Sequence, residues 1–470
     1  MDAQNYISAA KSGKIDVVEH TKKVLAISKQ IDSEYNYFNV ISSETALKKA
    51  EELSKQKEKK GALFGLPISV KDCICVKDVE SKAGSKILSG YKPVFDATVI
   101  EKIKAEGGVI IGKTAQDEFG FGSFSVNVGV ELKIPKNPLD KERTCGGSSG
   151  GAAGITKKCD FSHVAIAEST GGSIAAPASY CGVIGLCPTY GRVSRYGLID
   201  FANSLDKIGV MSKTIEDAAL IFQIIAGYDK KDSTSIDAPV HDYLSATKKK
   251  SKFKVGIIRE SICEGVDTAV KGSVKKLAAN LKEKGHTVSD VSLPLVFKYG
   301  IQTYYLISMS EASTNLAKYC GLRYGYAKEL VGNFNEYFSK VRSSGFSKEA
   351  KRRIILGTFA RMAGLRDAYY LKAMKVRTLM AEEYAKLFEK YDLLLSPTMP
   401  NTAPKFDEIK NLTPLQNYMM DVMTAGPNLC GLPHVSIPYE EHEGMPIGVL
   451  FTAKHMGEEK LFSIVKEIQK

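Results

Sequence analysis

Gly65-Leu66-Pro67-Ile68-Ser69-Val70-Lys71-Asp72 is the stretch where the pattern of this chain changes. Pro67–Val70 is apolar, too short for a core helix, and stops on two charges, so it reads as a buried strand. Upstream the spacing is helical. Val17, Val18, Val24, Leu25 and Ile27 recur on one face of Asp16–Asp32, and Glu44–Gln56 is rich in Ala, Leu, Lys and Glu. Downstream, Ala97–Ala105 predicts a helix closed by Gly107-Gly108, and Val109–Ile111 and Val164–Ala167 predict two more strands. Thr214 with Asp217 resembles a capped start before a helix over Ala218–Ala226. Asp229–Lys252 is polar and lysine-rich and predicts an exposed connection, after which Phe253–Ile258 resumes as a strand. Residues 301–391 are helix-rich, and Asp392–Leu395, Val435–Pro438 and Ile447–Phe451 read as late strands. Short strands alternating with helices predict an α/β fold, with helices flanking a mostly parallel or mixed sheet. No repeat or flexible linker interrupts it, so one domain over 1–470 is expected, with N-terminal helices over about 1–60.

The chain has 470 residues, 44% of them hydrophobic, which is ample for a large core. No apolar run approaches the length of a membrane span. Met1-Asp2-Ala3-Gln4-Asn5 lacks the basic-then-apolar character of a signal peptide, and a cytoplasmic location is expected. The formal net charge of +12 fits either a lysine-rich surface or contact with a polyanion such as tRNA, and charge alone does not choose. The nine cysteines include no CxxC pair and the seven histidines no HxxxH. Reduced thiols and no metal site are therefore expected.

Two glycine-rich segments stand out: Gly146-Gly147-Ser148-Ser149-Gly150-Gly151 and Ser169-Thr170-Gly171-Gly172-Ser173. Either one alone reads as a turn. A phosphate-binding loop needs Lys-Ser/Thr after its last glycine, but Ala152-Ala153 follow Gly151. The first segment satisfies G-x-S-x-G, yet a nucleophile elbow needs a core strand before it, and Lys141-Glu142-Arg143-Thr144 is not one.

Taken together with Gly65–Asp72, these segments resemble the amidase signature family. The strand-ending Lys71, the first serine of Gly-Gly-Ser-Ser-Gly-Gly (Ser148), and the serine closing Thr-Gly-Gly-Ser-Ile (Ser173) occupy that family's catalytic positions. Pro177, Cys181–Leu186 and Pro188–Ser194 continue the likeness, which runs over essentially the whole chain. The resemblance implies an amidase-signature fold with a large mixed central sheet. It also implies that Lys71 deprotonates Ser148, which relays the proton of the nucleophile Ser173. The chemistry suits these residue types, because a serine needs a base and a lysine is a base only when neutral. Backbone N–H groups of Thr170, Gly171, Gly172 and Ser173 are suited to an oxyanion hole. Two departures stand against the pattern. The family usually has Asp four residues before the nucleophile and Arg two after it, and here those are Ser169 and Ala175. Their joint loss implies one missing salt bridge, or a weakened catalyst. One more residue than usual also separates the two serines, and Thr156–Ser162 could absorb it as a loop.

Within the family, several segments resemble the glutaminase subunits of tRNA-dependent amidotransferases. They are Asp117-Glu118-Phe119, Ser310–Ala317, Arg323-Tyr324-Gly325, Lys351–Thr358, Asp367–Ala373 and Asn428–Pro433. That resemblance implies L-glutamine as substrate, held by Tyr304, Arg353 and Asp421, with the arginine gripping the carboxylate and the aspartate the ammonium. It implies no cofactor in this chain. ATP and Mg2+ are expected on a partner B-type subunit that activates a misacylated tRNA(Gln) or tRNA(Asn), and a further partner is expected in a small C subunit. A stand-alone amidase for small carboxamides and a non-catalytic scaffold of the same fold remain as alternatives.

Overall fold

In the computed structural model, which describes residues 1–469, eleven strands form one sheet. In chain order they are β1 (Phe38–Ile41), β2 (Pro67–Lys71), β3 (Val109–Thr114), β4 (Val164–Ser169), β5 (Ile184–Cys187), β6 (Lys207–Ser212), β7 (Lys254–Ile258), β8 (Thr287–Val291), β9 (Leu393–Pro397), β10 (His434–His442) and β11 (Met445–Ala453). The spatial order is β1-β3-β2-β4-β6-β5-β10-β11-β9-β7-β8. The sheet is mixed. β3, β2 and β4 run parallel, as do β9, β7 and β8, while the strands between them pair antiparallel. Every residue of β2, β3, β4, β6 and β11 is buried, which is why these segments read as continuous apolar runs. The edge strand β8 instead exposes Thr287, Ser289 and Asp290, and polar side chains blunt such an edge.

The predicted elements sit where their chemistry put them, with small shifts of boundary. Asp16 caps the helix Val17–Tyr35 by accepting from the Val18 and Glu19 N–H groups, and Thr214 caps Ile215–Ile225 by accepting from Asp217 N–H. The helix-rich region contains Pro294–Asn315, Phe334–Gly345, Lys348–Arg361 and Lys372–Phe388. One buried core draws residues from Ala3 to Ile468.

The segment 229–252 is exposed over most of its length, as expected, but it is fastened to the core at several points. Arg192 is fully buried against it and donates to the carbonyls of Ala238 (3.0 Å) and Pro239 (2.5 Å) and to the Tyr243 hydroxyl (3.0 Å). Asp229 accepts from Thr98 and Ser194, each at 2.6 Å. A buried guanidinium needs its donors satisfied, and the carbonyls of an irregular segment supply the acceptors that a regular element would spend internally. Thus a segment of surface composition is fastened at named points.

Candidate active site

Lys71 ends β2 and Glu168-Ser169 end β4, its parallel neighbour, so both chains leave the sheet at the same edge. The carboxyl ends of parallel strands are where open α/β sheets place ligands. Ser148-Ser149 lead into the helix Gly150–Lys158, and residues 170–174 loop from β4 into the helix Ala175–Cys181. Three segments distant in sequence therefore converge.

Lys71 Nζ donates to Ser148 Oγ at 2.8 Å, to the Glu168 carbonyl at 2.9 Å and to Glu168 Oε2 at 2.9 Å. The Lys71 side chain is 0% exposed and that of Glu168 4%, so the ion pair is screened from water. Ser148 is fully buried, whereas Ser173 keeps 6% exposure. The two predicted serines are treated differently. Ser148 is brought onto Lys71, while the Ser173 hydroxyl makes no hydrogen bond among the described residues. Nor do the backbone N–H groups of Gly171, Gly172 and Ser173. Free donors beside a free hydroxyl suit a developing oxyanion.

The glycines of that loop admit neighbours a side chain would exclude. A Cβ on Gly171 would lie 2.7 Å from the Tyr304 ring, and one on Gly172 would lie 2.5 Å from Thr424 Oγ1 and 3.3 Å from Asp421 Oδ1. Two of the three predicted glutamine contacts thus pack directly on the nucleophile loop. Asp421 accepts from the Tyr305 hydroxyl at 2.7 Å and from Ser123 at 3.0 Å. Burial raises its carboxyl above the usual range, and both hydrogen bonds act the other way. Tyr304 sits against the loop, and its neighbour Tyr305 holds the aspartate.

Arg353 lies on the helix Lys348–Arg361, whose start is fixed when the Ser347 N–H donates to Glu118 Oε2 at 3.0 Å. Its guanidinium is 5.1 Å from the Phe121 ring, 5.3 Å from Tyr305 and 5.5 Å from Tyr418, a cationic group faced by aromatic π-clouds. Nε donates to Glu349 at 2.9 Å, while the two terminal nitrogens make no hydrogen bond among the described residues. Arg353 lines a cavity of about 670 Å³ together with Ser123, Asn127, Glu349 and Tyr418.

Sequence reasoning missed three groups here. Asp117 stands out in the sequence only as part of a likeness. It is fully buried, accepts from the Ser125 N–H at 3.0 Å and the Asn127 N–H at 2.8 Å, and is pushed by burial up to about 6. Glu168 and Asp206 are buried carboxylates joined through the Thr170 hydroxyl, which lies 2.8 Å from Glu168 Oε1 and 2.7 Å from Asp206 Oδ1. Glu168 did leave a sequence signal, a charge directly following the apolar run Val164–Ala167.

The two departures leave no stranded charge. Ser169 donates to the Gly171 carbonyl at 3.1 Å and accepts from Asn428 Nδ2 at 3.1 Å, and Ala175 is fully buried. Between the serines, the chain leaves its helix at Lys158 and crosses to β4 over 159–163, which overlaps the expected loop Thr156–Ser162, although Thr156–Lys158 are still helical. All nine cysteines are free, and seven are buried. Among the described residues no cluster of His, Cys, Asp or Glu is arranged to hold a metal ion, and no helix is long and apolar enough to cross a membrane.

The amidase family model matches residues 19–462. The A-type subunit of glutamyl-tRNA(Gln) amidotransferase from Trichodesmium erythraeum (strain IMS101) is 42% identical over 467 residues, covering 98% of this chain and 94% of the relative. The protein of the same name from Geobacillus kaustophilus (strain HTA426) is 43% identical over 457 residues, covering 94% and 93%. Among solved structures, the A-type subunit of glutamyl-tRNA(Gln) amidotransferase from Thermotoga maritima superposes with a TM-score of 0.77 at 35% identity, covering 94% of this chain and 90% of that one.

Proposed function

The chain belongs to the amidase family, and from that premise we propose that it hydrolyses the side-chain amide of glutamine through Ser173, Ser148 and Lys71 to supply ammonia for a tRNA-linked amidation. The observation that carries the reading is the buried 2.8 Å contact of Lys71 with Ser148, set beside a loop with a free serine hydroxyl and free backbone donors. Ser173 Oγ attacks the amide carbon as its proton passes to Ser148, and Ser148 gives its own proton to Lys71. The N–H groups of residues 170–173 receive the oxyanion, each such donor being worth about 3 kcal/mol in the transition state. The proton then returns to the departing nitrogen, ammonia leaves, and water cleaves the acyl-enzyme by the same relay in reverse.

Glutamine suits the surroundings. The free terminal nitrogens of Arg353 match an α-carboxylate, and Asp421 matches an α-ammonium. The Tyr304 ring packs against Gly171 of the loop beside them. A B-type subunit in the cytoplasm uses ATP and Mg2+ to activate the glutamate of misacylated tRNA(Gln), or the aspartate of tRNA(Asn), and takes up the ammonia. A small C subunit completes the complex. The curated relatives, named as A-type subunits of such an enzyme, support this setting.

The direct test is to trap the acyl-enzyme with hydroxylamine during glutamine turnover and to map the labelled residue by active-site peptide analysis. We expect the acyl group on Ser173 and none in Ser173→Ala, whose circular dichroism stays that of the parent. An acyl group on Ser148 would sink the assignment.

A further inference from the structure

Lys71 Nζ has three acceptors within 2.9 Å: Ser148 Oγ, the Glu168 carbonyl and Glu168 Oε2. An ammonium has three N–H donors and no lone pair, whereas a neutral amine has two donors and one lone pair. The geometry therefore satisfies an ammonium completely, yet an ammonium cannot take the proton of Ser148. Of the three partners, only the Glu168 carboxylate can relieve Lys71 of a proton without undoing the relay.

We propose that Glu168 is a positioning residue that takes a proton from Lys71 as Ser148 delivers one, so that the lysine acts as a base from a resting ion pair. This rests on the hydrolytic reading of Ser173, Ser148 and Lys71 given above. The step balances. The Ser173 O–H breaks as Oγ bonds to the amide carbon, its proton goes to Ser148, the Ser148 proton goes to Nζ, and one Nζ proton goes to Oε2. On collapse of the tetrahedral species each proton moves back one place, and the last reaches the leaving nitrogen.

The other side of Glu168 supports this role. Thr170 has one hydroxyl proton but lies within hydrogen-bond distance of both Glu168 Oε1 and Asp206 Oδ1. Both contacts are hydrogen bonds only when one carboxyl holds a proton. Asp206 also accepts backbone N–H donors from Phe201 and Ala202. Burial, and then the charge of Glu168, raise its carboxyl well above the usual range. A proton on Asp206, donated to Thr170, lets Thr170 donate to Glu168 and keeps that carboxylate ready. Of the remaining groups that act on the cluster, Cys73, Cys187 and Tyr304 are pushed up by burial and stay neutral. Asp117 faces Lys71, and Arg195 acts on Asp206 from the surface side.

The test is the pH dependence of kcat/KM for glutamine, measured on the full chain with its B-type subunit for the parent, Glu168→Gln and Glu168→Asp. Glutamine at 168 accepts a hydrogen bond from Lys71 but no proton. We expect Glu168→Gln to lose about 100-fold in kcat and its acid limb to move up, because the proton delivered by Ser148 then has no carboxylate to end on. Glu168→Asp should recover part of the rate and the parent limb. A rate within threefold of the parent, or a lost rate with an unmoved limb, would overturn the proposal. Should Glu168→Gln fail to fold, Thr170→Val removes only the bridge. Its profile should also lie at higher pH than that of Thr170→Ser, which keeps a hydroxyl for the bridge, and identical profiles for the two would overturn the proposal. Ser173→Ala run in parallel separates the two failures. An active Ser173→Ala defeats the hydrolytic reading, while an inactive one beside an unaltered Glu168→Gln defeats only the role of Glu168.

Discussion

In the proposed site, Arg353 is readied before its ligand arrives. Its charge is buried, and a buried charge needs compensation. Glu349 takes Nε, and three aromatic faces line the guanidinium, which leaves the terminal fork for a substrate carboxylate. A lysine cannot reproduce that fork. Arg353→Lys should therefore raise the KM for glutamine about 10- to 100-fold, the equivalent of one lost charge-assisted hydrogen bond, with a smaller effect on kcat. Steady-state kinetics across glutamine concentrations check this, and an unchanged KM would remove Arg353 from the substrate site. At this scale the sequence was informative where residues belong to motifs. Lys71, Ser148 and Ser173 could be named because each sits at a fixed place in a motif that resembles a known family's. Glu168 and Asp206 could not, because their significance comes from a shared contact with Thr170 that bridges separate strands.

At the scale of elements, the helix Ala3–Lys11 is tied to the helix Ile215–Ile225 by one contact far apart in sequence: the Ala3 N–H donates to Asp217 Oδ1 at 2.9 Å. Burial pushes the Asp217 carboxyl up to about 6, although the bonds from Ala3 and Thr214 pull it down. A folded-state value above the unfolded one means that this stabilisation is complete below the unfolded value and is lost as pH rises through about 6. Asp217→Asn stays neutral and keeps an oxygen for Ala3. It should stabilise the protein at pH 8, by on the order of 2–3 kcal/mol, and by roughly half as much at pH 5. Thermal melts at both values decide, and an equal shift at both would contradict the linkage. Element boundaries followed the sequence where caps and apolar runs were strong, as at Asp16 and in β2. They were hidden where composition misled. The helix Gly150–Lys158 opens on two glycines and has a third at 154, where any side chain would strike the Tyr37 ring. Close packing put those glycines there, against helix propensity.

At the scale of the whole molecule, one sheet carries β2 and β4 near one end and β9, β7 and β8 at the other; long helices bring Tyr304 and Arg353, and the short 3-10 helix Met420–Met423 brings Asp421, towards the loop that follows β4. Mixed α/β character was legible from alternating strands and helices. The strand order was not, since β10 and β11 insert between β5 and β9 from the far end of the chain. The proposed site draws on residues from Lys71 to Asp421, so the proposed glutamine chemistry needs segments from most of the fold. Free ammonia is of use only beside an activated acceptor, so hydrolysis should depend on the partner. The decisive measurement is glutamate release and amidated tRNA, quantified together for the chain with a B-type subunit, ATP, Mg2+ and misacylated tRNA, each omitted in turn. Glutamate release should be low for the chain alone, rise substantially in the full mixture, and match the amide formed on tRNA. Vigorous glutamine hydrolysis by the chain alone, unaltered by any component and with no amidated tRNA, would contradict it.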